Sequence, residues 1–299
     1  MAAAWFGRVQ FERNLRYDAM AAEATPAGNA RTDTWRERFY RWPSRIFPDP
    51  LAVLIEKELR SLVRTPRFRM VFVMGFTFGV VFWLPMILGG RADRNGWMAH
   101  NFLTVVSGYA LTLLGQVTYW NCFGFDRSAA QIYFSAPQPI RVTLAAKNIT
   151  SLVFVYLEIL IISVVTLALR LAEGPGKVLE TLLVVGICSL YLMAFGNISS
   201  VRYPRGMKPE RVSRGGASSR FQALIFIMYP LALLPVALAY LARYALSSEW
   251  AFGILLAFAA GLGAFLYWLG MDSAVKTANS ERERILQDLA SGEGPIAGD

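Results

Sequence analysis

The sequence predicts an all-α, polytopic membrane protein with six transmembrane helices. Of its 299 residues, 55% are hydrophobic and only 17% are charged, which is too apolar for an ordinary soluble domain of this length. A helix needs about 20 mostly apolar residues to cross a hydrocarbon core of about 30 Å. Six runs meet that length: Met70 to Leu88, Asn101 to Trp120, Thr150 to Leu169, Val178 to Ile198, Phe221 to Ala242 and Trp250 to Met271.

The runs divide the chain into four regions. Residues 1–48 form an N-terminal segment, 49–68 an amphipathic helix, 69–272 the six-helix transmembrane domain and 273–299 a C-terminal tail. Of the 30 Lys and Arg residues, 25 fall in the N-terminal regions, the second-to-third and fourth-to-fifth loops and the tail. Because positive charge accumulates on the cytoplasmic side, we expect both termini to be cytoplasmic in a cell (plasma or inner) membrane.

Composition also limits the classes of function. The net charge of +9 is explained by anionic lipid of the inner leaflet and requires no nucleic acid. Cys122 and Cys188 lie at or within spans without metal-ligand spacing, and His100 is the sole histidine. Metal, paired-carboxylate and serine-protease chemistry need several convergent groups, so we expect no catalytic residues, metal or cofactor.

An amphipathic helix is predicted immediately before the first span, in PDPLAVLIEKELRSLVRTPRFR. Asp49 is positioned to cap it, and Thr65-Pro66 to end it. Leucine, isoleucine and valine side chains share one face, while charged side chains occupy the other. This pattern favours a helix lying in the membrane interface. The alternative is a helix docked on protein.

The connecting segment, Asn121 to Pro139, joins the second and third spans on the cytoplasmic side. Its sequence NCFGFDRSAAQIYFSAPQP predicts a short helix from Arg127 to Ser135, capped by Asp126 and ended by Ala136-Pro137. Pro139 then begins a helix that continues into the third span. Such a segment suits the transmission of force to a soluble partner, although a plain helical loop is an equal alternative.

The order of these parts resembles a type-2 ATP-binding-cassette (ABC) transporter permease over about residues 50 to 275. The resemblance rests on EKELRSLVRTPRFR before span one, FGFDRSAAQIYFSAPQPIRVTLAAKN, the six spans and GNISSVRYPRGMKP after span four. In that family an elbow helix precedes span one, and a cytoplasmic coupling helix contacts the ATP-hydrolysing subunit. The resemblance therefore implies a non-catalytic permease subunit, an ATPase on a separate chain and a second permease half.

The resemblance also implies which residues meet the ATPase. Carried over by position, the coupling-helix contacts are Asp126, Arg127, Gln131 and Phe134, and the interfacial-helix residues beside them are Glu56, Glu58 and Arg60. The chain has no phosphate-binding loop of its own. Its nearest approach, GPGKV at Gly174, lacks the earlier glycine and the hydroxyl residue that cradle phosphate.

The N-terminal segment is longer than the family requires. AAAWFGRVQFERNLRYDAMAAEA faintly echoes the tail FLYWLGMDSAVKTANSERERILQDLA, where an aromatic span end runs into a charged helix. From this echo we hypothesise that the chain is the C-terminal half of a tandem permease. A six-span partner encoded immediately upstream would support that hypothesis.

Glu158 is the candidate for a substrate route, since it lies within the third span. A carboxylate there costs about 2.5–3.5 kcal/mol on insertion scales, so it should face protein or water. It either binds a cationic or hydroxyl group of substrate or packs helices together. Small residues at Ala257, Ala260, Gly261 and Ala264 predict a close helix approach, within the chain or to a second copy. The competing functions are a secondary transporter and a membrane scaffold or regulatory component.

Overall fold

The secondary structure is helical throughout the part of the chain that the structure describes. The computed structural model describes residues 35–88, 100–168, 174–207 and 219–290. The all-α prediction is confirmed there. The N-terminal stretch that echoes the tail lies outside the described residues, as do Arg91, Arg94 and Arg170 of the predicted external loops.

The described helices follow the predicted order. They are α1, Trp35–Arg41; α2, Pro43–Ile46; α3, Leu51–Arg64; α4, Pro66–Leu88; α5, Phe102–Thr118; a 3₁₀ helix, Arg127–Ala130; α6, Gln131–Ser135; α7, Ile140–Ala168; α8, Pro175–Arg202; α9, Ser219–Ala245; α10, Glu249–Ser280; and α11, Arg282–Ala290. The chain forms two compact units, Met1–Arg41 and Trp42–Asp299. In the first unit, Glu37 and Arg41 face each other across one turn of α1.

Four helices, α7 to α10, are long and apolar enough to cross a membrane. They support a multi-pass membrane protein, and each coincides with a predicted span. α4 and α5 form over the first two predicted spans, and α5 is shorter, with 17 residues. Six crossings of the membrane therefore remain a prediction, whereas a helix at each of the six positions is confirmed.

α8 and α10 make the most extensive helix contact, and two glycines permit it. An ideal Cβ on Gly270 would lie 2.5 Å from the carbonyl oxygen of Ala194, and one on Gly263 would lie 2.9 Å from the Tyr191 ring. The Tyr191 hydroxyl donates to the carbonyl oxygen of Ala259 at 2.6 Å. These close approaches hold the two helices backbone to backbone.

The small residues singled out from the sequence lie largely elsewhere on α10. Ala257, Gly261 and Ala264 are exposed, and Ala260 is half-buried. No described heavy atom lies within 4 Å of a Cβ built on Gly261. Within the chain it is instead the glycines at 263 and 270 that meet α8. A close approach of the exposed positions to a second copy stays a prediction.

α3 is amphipathic, as predicted, and ends before Thr65-Pro66. The predicted cap is wrong: Pro50 occupies the capping position, and no side chain caps the helix. Its buried residues include Ala52, Ile55, Leu59 and Leu62, and the helix packs against α7, α2 and the start of α4. This face is thus covered by protein, which favours the docked alternative for it. A location of α3 in the membrane interface remains a prediction.

The connecting segment folds as the sequence predicts. The 3₁₀ helix runs directly into α6, which ends before Ala136, and α7 starts one residue after Pro139. α11 packs against the 3₁₀ helix of the connecting segment. The apolar cluster they share comprises Phe123, Ala130, Tyr133, Ile140, Leu144, Val201, Met271, Ala274, Ala278, Ile285 and Leu289. The C-terminal region is therefore part of the support for the connecting segment.

Candidate functional site

Four charged side chains meet where α3, the connecting segment and α7 come together. This four-charge cluster consists of Lys57 and Glu58 from α3, Asp126 from the connecting segment and Lys147 from α7. Lys147 Nζ lies 3.0 Å from Glu58 Oε1 and 2.5 Å from Asp126 Oδ2. Lys57 Nζ lies 2.7 Å from Asp126 Oδ1 and 2.9 Å from Glu58 Oε1. Two positive and two negative charges therefore balance.

Tyr133 of α6 completes the hydrogen bonding of the cluster. Its hydroxyl oxygen lies 2.7 Å from Glu58 Oε1 and 2.9 Å from Asp126 Oδ1. Its single proton can be donated to only one carboxylate at a time. The same oxygen accepts from Lys57. The hydroxyl thus ties α6 to both carboxylates and to a lysine of α3.

The cluster is shielded from solvent except at Lys57. The exposed fraction is 3% for the Lys147 side chain, 7% for Glu58 and 9% for Asp126, against 42% for Lys57. Desolvation of buried charges costs several kcal/mol per ion, which is recovered only with close pairing and additional hydrogen bonds. Burial alone would raise the pKa of the Asp126 carboxyl, but Lys147 and Lys57 outweigh it and hold that pKa below its ordinary value.

Aromatic rings line the inner side of the cluster. Lys147 Nζ lies 5.1 Å from the ring centre of Tyr133 and 5.4 Å from that of Phe123. An ammonium at this distance is attracted to the negative face of an aromatic ring. The rings therefore both exclude water from Lys147 and contribute to its stabilisation.

α11 supports the same region through the end of α8. The Arg284 guanidinium donates to the carbonyl oxygen of Val201 at 3.2 Å and to that of Arg202 at 3.3 Å. These carbonyls belong to the last turn of α8, where backbone acceptors lack partners within the helix. A cation at a helix C-terminus is also favoured by the helix dipole.

The residues carried over from the resemblance divide into an inward and an outward group. Asp126 and Glu58 point inward into the four-charge cluster. The Asp126 side chain makes no helix cap, so that part of the sequence interpretation is wrong: the lysines bind its carboxylate instead. Glu56 accepts from Arg60 at 2.8 Å on the more exposed side of α3.

The other carried-over residues lie on the connecting segment. Gln131 is exposed and Arg127 is half-buried. Phe134 is half-buried and packs against the apolar cluster, with its ring centre 6.3 Å from that of Phe123. Arg127 has a φ of 52°, a left-handed conformation that is uncommon for a residue with a side chain. Ile132 is 63% exposed, and sequence reasoning missed it. The signal available in the sequence was an isoleucine within the short helix predicted for the connecting segment.

An open groove of about 670 Å³ runs along the outward side of α3. Its basic residues are Lys57, Arg60 and Arg64, and Phe125 of the connecting segment contributes to the wall. The groove therefore borders both elements that the sequence analysis assigned to partner contact.

Glu158 lies apart from this region, further along α7. Its side chain is 1% exposed, and neither carboxyl oxygen has a hydrogen-bond partner among the described residues. It faces Gly75 of α4, where an ideal Cβ would lie 2.1 Å from Glu158 Oε1. The glycine thus provides the space that the carboxyl group occupies.

A second ion-pair cluster, missed by the sequence analysis, lies at the opposite ends of the long helices. Glu180, which falls inside the fourth predicted span, lies 2.6 Å from Lys177 Nζ and 3.0 Å from an Arg243 nitrogen. The Tyr240 hydroxyl donates to Glu180 at 2.7 Å, and Lys177 donates to Asn101 at 2.8 Å. This cluster joins α5, α8 and α9. The spacing of Lys177 and Glu180 on one helix face was its only sequence signal.

The role of the four-charge cluster is structural. Its lysines and carboxylates neutralise one another, and these ion pairs hold α3, the connecting segment and α7 in one arrangement. Among the described residues, no group of three or more His, Cys, Asp or Glu side chains is placed to hold a metal ion.

Comparison with known proteins assigns no family. No family model, curated protein or solved structure matches the chain. The case for function therefore rests on the cluster geometry and on the sequence resemblance together.

Proposed function

We propose that the chain is the membrane-spanning permease subunit of an ABC transporter, an exporter that couples ATP hydrolysis on a separate chain to substrate movement. The observation that carries the proposal is the four-charge cluster. It attaches the connecting segment to α3 and α7 through Asp126, Glu58 and Lys147, while the opposite side of the segment is exposed.

The exposed side supplies a docking surface for a cytoplasmic ATPase. Ile132 is 63% exposed, and Gln131, Ser128 and Ser135 beside it are exposed as well. An apolar side chain with polar neighbours matches the apolar centre and polar rim of a protein interface. The next residue, Tyr133, hydrogen-bonds the cluster. A displacement of the docked ATPase would thus reach α7 through one short helix.

Nucleotide-driven closure of the ATPase would favour one conformation of the permease over another. A substrate moves only if its affinity differs between those conformations. The proposal includes a second permease half, membrane lipid around the helices and a location in the cell membrane with both termini cytoplasmic. The distribution of Lys and Arg along the sequence supports that orientation.

Co-purification tests the docking surface. The tagged chain is purified from its native membrane in mild detergent, and bound proteins are identified and assayed for ATP hydrolysis. We expect a P-loop ATPase with the wild type and a loss of about tenfold or more with Ile132→Asp, since hot-spot residues contribute about 2 kcal/mol or more. Ile46→Asp is the matched control, because Ile46 is 65% exposed on α2.

Two results would contradict the proposal. The first is an intact, membrane-inserted chain that retains no ATPase under conditions that preserve other complexes. The second is equal retention by the Ile132→Asp and wild-type chains. A deletion of residues 127–135 is less informative, because it also removes the Tyr133 contact with Glu58.

A secondary transporter is the alternative that one observation favours. Glu158 is a buried carboxyl group with no hydrogen-bond partner among the described residues, and ionisable groups within spans commonly serve ion or substrate routes. Glu158→Gln separates the possibilities. Loss of transport by an intact complex assigns a route role, whereas loss of the protein assigns a packing role.

A further inference from the structure

Two arginine side chains that have no acidic partner among the described residues flank the connecting segment. Arg67 lies in the first turn of α4, and Arg205 lies in the chain that leaves α8. The Nε atom of each is buried and has no hydrogen-bond partner in the described part of the chain. None of the ion pairs formed there includes either residue. Buried donors without acceptors are uncommon and costly, so an acceptor beyond the described residues is implied.

Residues 121–125 contact the backbone around Arg205 and share a groove with the residues that precede Arg67. Asn121 donates to the carbonyl oxygen of Arg205 at 2.8 Å, and Gly124 accepts from the backbone of Met207 at 2.7 Å. On the other side, Phe125 shares a groove wall with Thr65 and Pro66, directly before Arg67. The two arginines therefore border the same short stretch, one in the first turn of α4 and the other after the end of α8.

The Arg205 guanidinium is further fixed by an aromatic ring. Its central carbon lies 3.5 Å from the ring centre of Phe221, a stacked arrangement that leaves the edge donors of the guanidinium free to bind a ligand. Burial, followed by the positive charge of Arg67, lowers the pKa of Arg205 to about 10. The two like charges thus oppose each other in the unliganded chain.

We propose that Arg67 and Arg205 form an anion site that binds a phosphate group, supplied by the headgroup of an anionic lipid or by a soluble phosphate compound. Guanidinium forks match phosphate oxygens bidentately and form hydrogen bonds stronger than those between neutral groups. Both residues lie at predicted cytoplasmic ends of spans, where anionic headgroups concentrate. A bound phosphate satisfies the two buried Nε donors and cancels the repulsion between the arginines.

The test measures ligand-dependent thermal unfolding of the full chain in detergent. The probes are dioleoylphosphatidylglycerol, dioleoylglycerol as the same lipid backbone without phosphate, and inorganic phosphate. We expect phosphatidylglycerol to raise the unfolding temperature of the wild type and dioleoylglycerol to leave it unchanged. A shift with phosphatidylglycerol alone assigns the site to lipid, and a comparable shift with inorganic phosphate assigns it to a soluble compound.

Substitutions assign the effect to the site. Arg67→Gln and Arg205→Gln should each weaken the apparent affinity by about tenfold or more, because a hydrogen bond to a charged group contributes that much or more. The Arg69→Gln control should retain the affinity of the wild type, since Arg69 lies two residues after Arg67 and is exposed. Without ligand, the double variant should unfold at the same or a higher temperature than the wild type, which a purely structural pair would not do.

Three outcomes would overturn the anion site. They are equal stabilisation of the double variant and the wild type by phosphatidylglycerol, equal effects of phosphatidylglycerol and dioleoylglycerol, and no stabilisation by either phosphate-bearing probe. Should the double variant fail to accumulate, the two single variants carry the same comparison.

Discussion

Lys147 Nζ lies 3.0 Å from Glu58 Oε1, a buried ion pair between α7 and α3. The same ammonium bonds Asp126 of the connecting segment. Lys147 therefore contacts both carboxylates of the four-charge cluster, and its removal leaves Lys57 as the remaining cation of the cluster.

Lys147→Met should lower the free energy of unfolding by about 3–5 kcal/mol, because removing one partner of a buried ion pair leaves an uncompensated charge. Unfolding in detergent, followed by circular dichroism, measures this change. Lys276→Met is the control: its side chain is 77% exposed beside Asp272, and exposed pairs contribute about 1 kcal/mol or less. Equal losses for the two variants would refute the central position of Lys147.

Asp126 should make stability depend on acid pH. Its pKa lies below the ordinary value of 3.8 in the folded chain. Its stabilising contribution is therefore complete above the unfolded pKa and is lost as the pH falls through the lower, folded value. The stability difference between the wild type and Asp126→Asn should be largest near neutral pH and shrink below about pH 4. A difference independent of pH would show that the Asp126 carboxylate is not stabilised by the lysines.

A larger side chain at Gly75 should be destabilising while Glu158 is present. Gly75→Ala would place its Cβ methyl group 2.1 Å from Glu158 Oε1, and overpacking of this kind costs about 1–3 kcal/mol of stability. In a Glu158→Ala background the same change should cost less. The double-mutant cycle isolates that interaction, and strict additivity would indicate that the two residues are not in contact.

Alanine substitutions at two glycines of α10, Gly270 and Gly261, should have different effects on stability. Gly270→Ala forces a methyl group against the backbone of Ala194, which cannot move as a flexible side chain would. We expect loss of folded protein on gel filtration. Gly261→Ala should be neutral or stabilising by up to about 1 kcal/mol, because alanine is the better helix former and the position is open.

The helices were predictable because apolar run length and proline positions are local signals. Pro66 and Pro139 mark the starts of α4 and α7 to within a residue. The ion pairs were not predictable, because Lys57, Tyr133 and Lys147 are brought to Asp126 only by the packing of α3 on α7. Lys147 did carry a hint, since a lysine among apolar residues in RVTLAAKNITSL requires a partner once buried.

The helix caps were predicted from local sequence and were wrong. Asp49 and Asp126 both precede a helix and were predicted to cap it, yet neither does. For Asp126 the reason is energetic, since two lysines offer its carboxylate stronger bonds than backbone amides do. Local preference was overridden by contacts distant in sequence.

α7 is one unbroken helix of 29 residues, so it behaves as a stiff rod about 43 Å long at 1.5 Å per residue. Lys147 and Glu158 lie about 16 Å apart along that helix. A tilt of α7 by a few degrees about Lys147 would move the Glu158 carboxyl group by about an ångström relative to Gly75. That displacement is about half of the 2.1 Å between Glu158 Oε1 and the position of a Cβ on Gly75, so it would change how closely the two helices approach there.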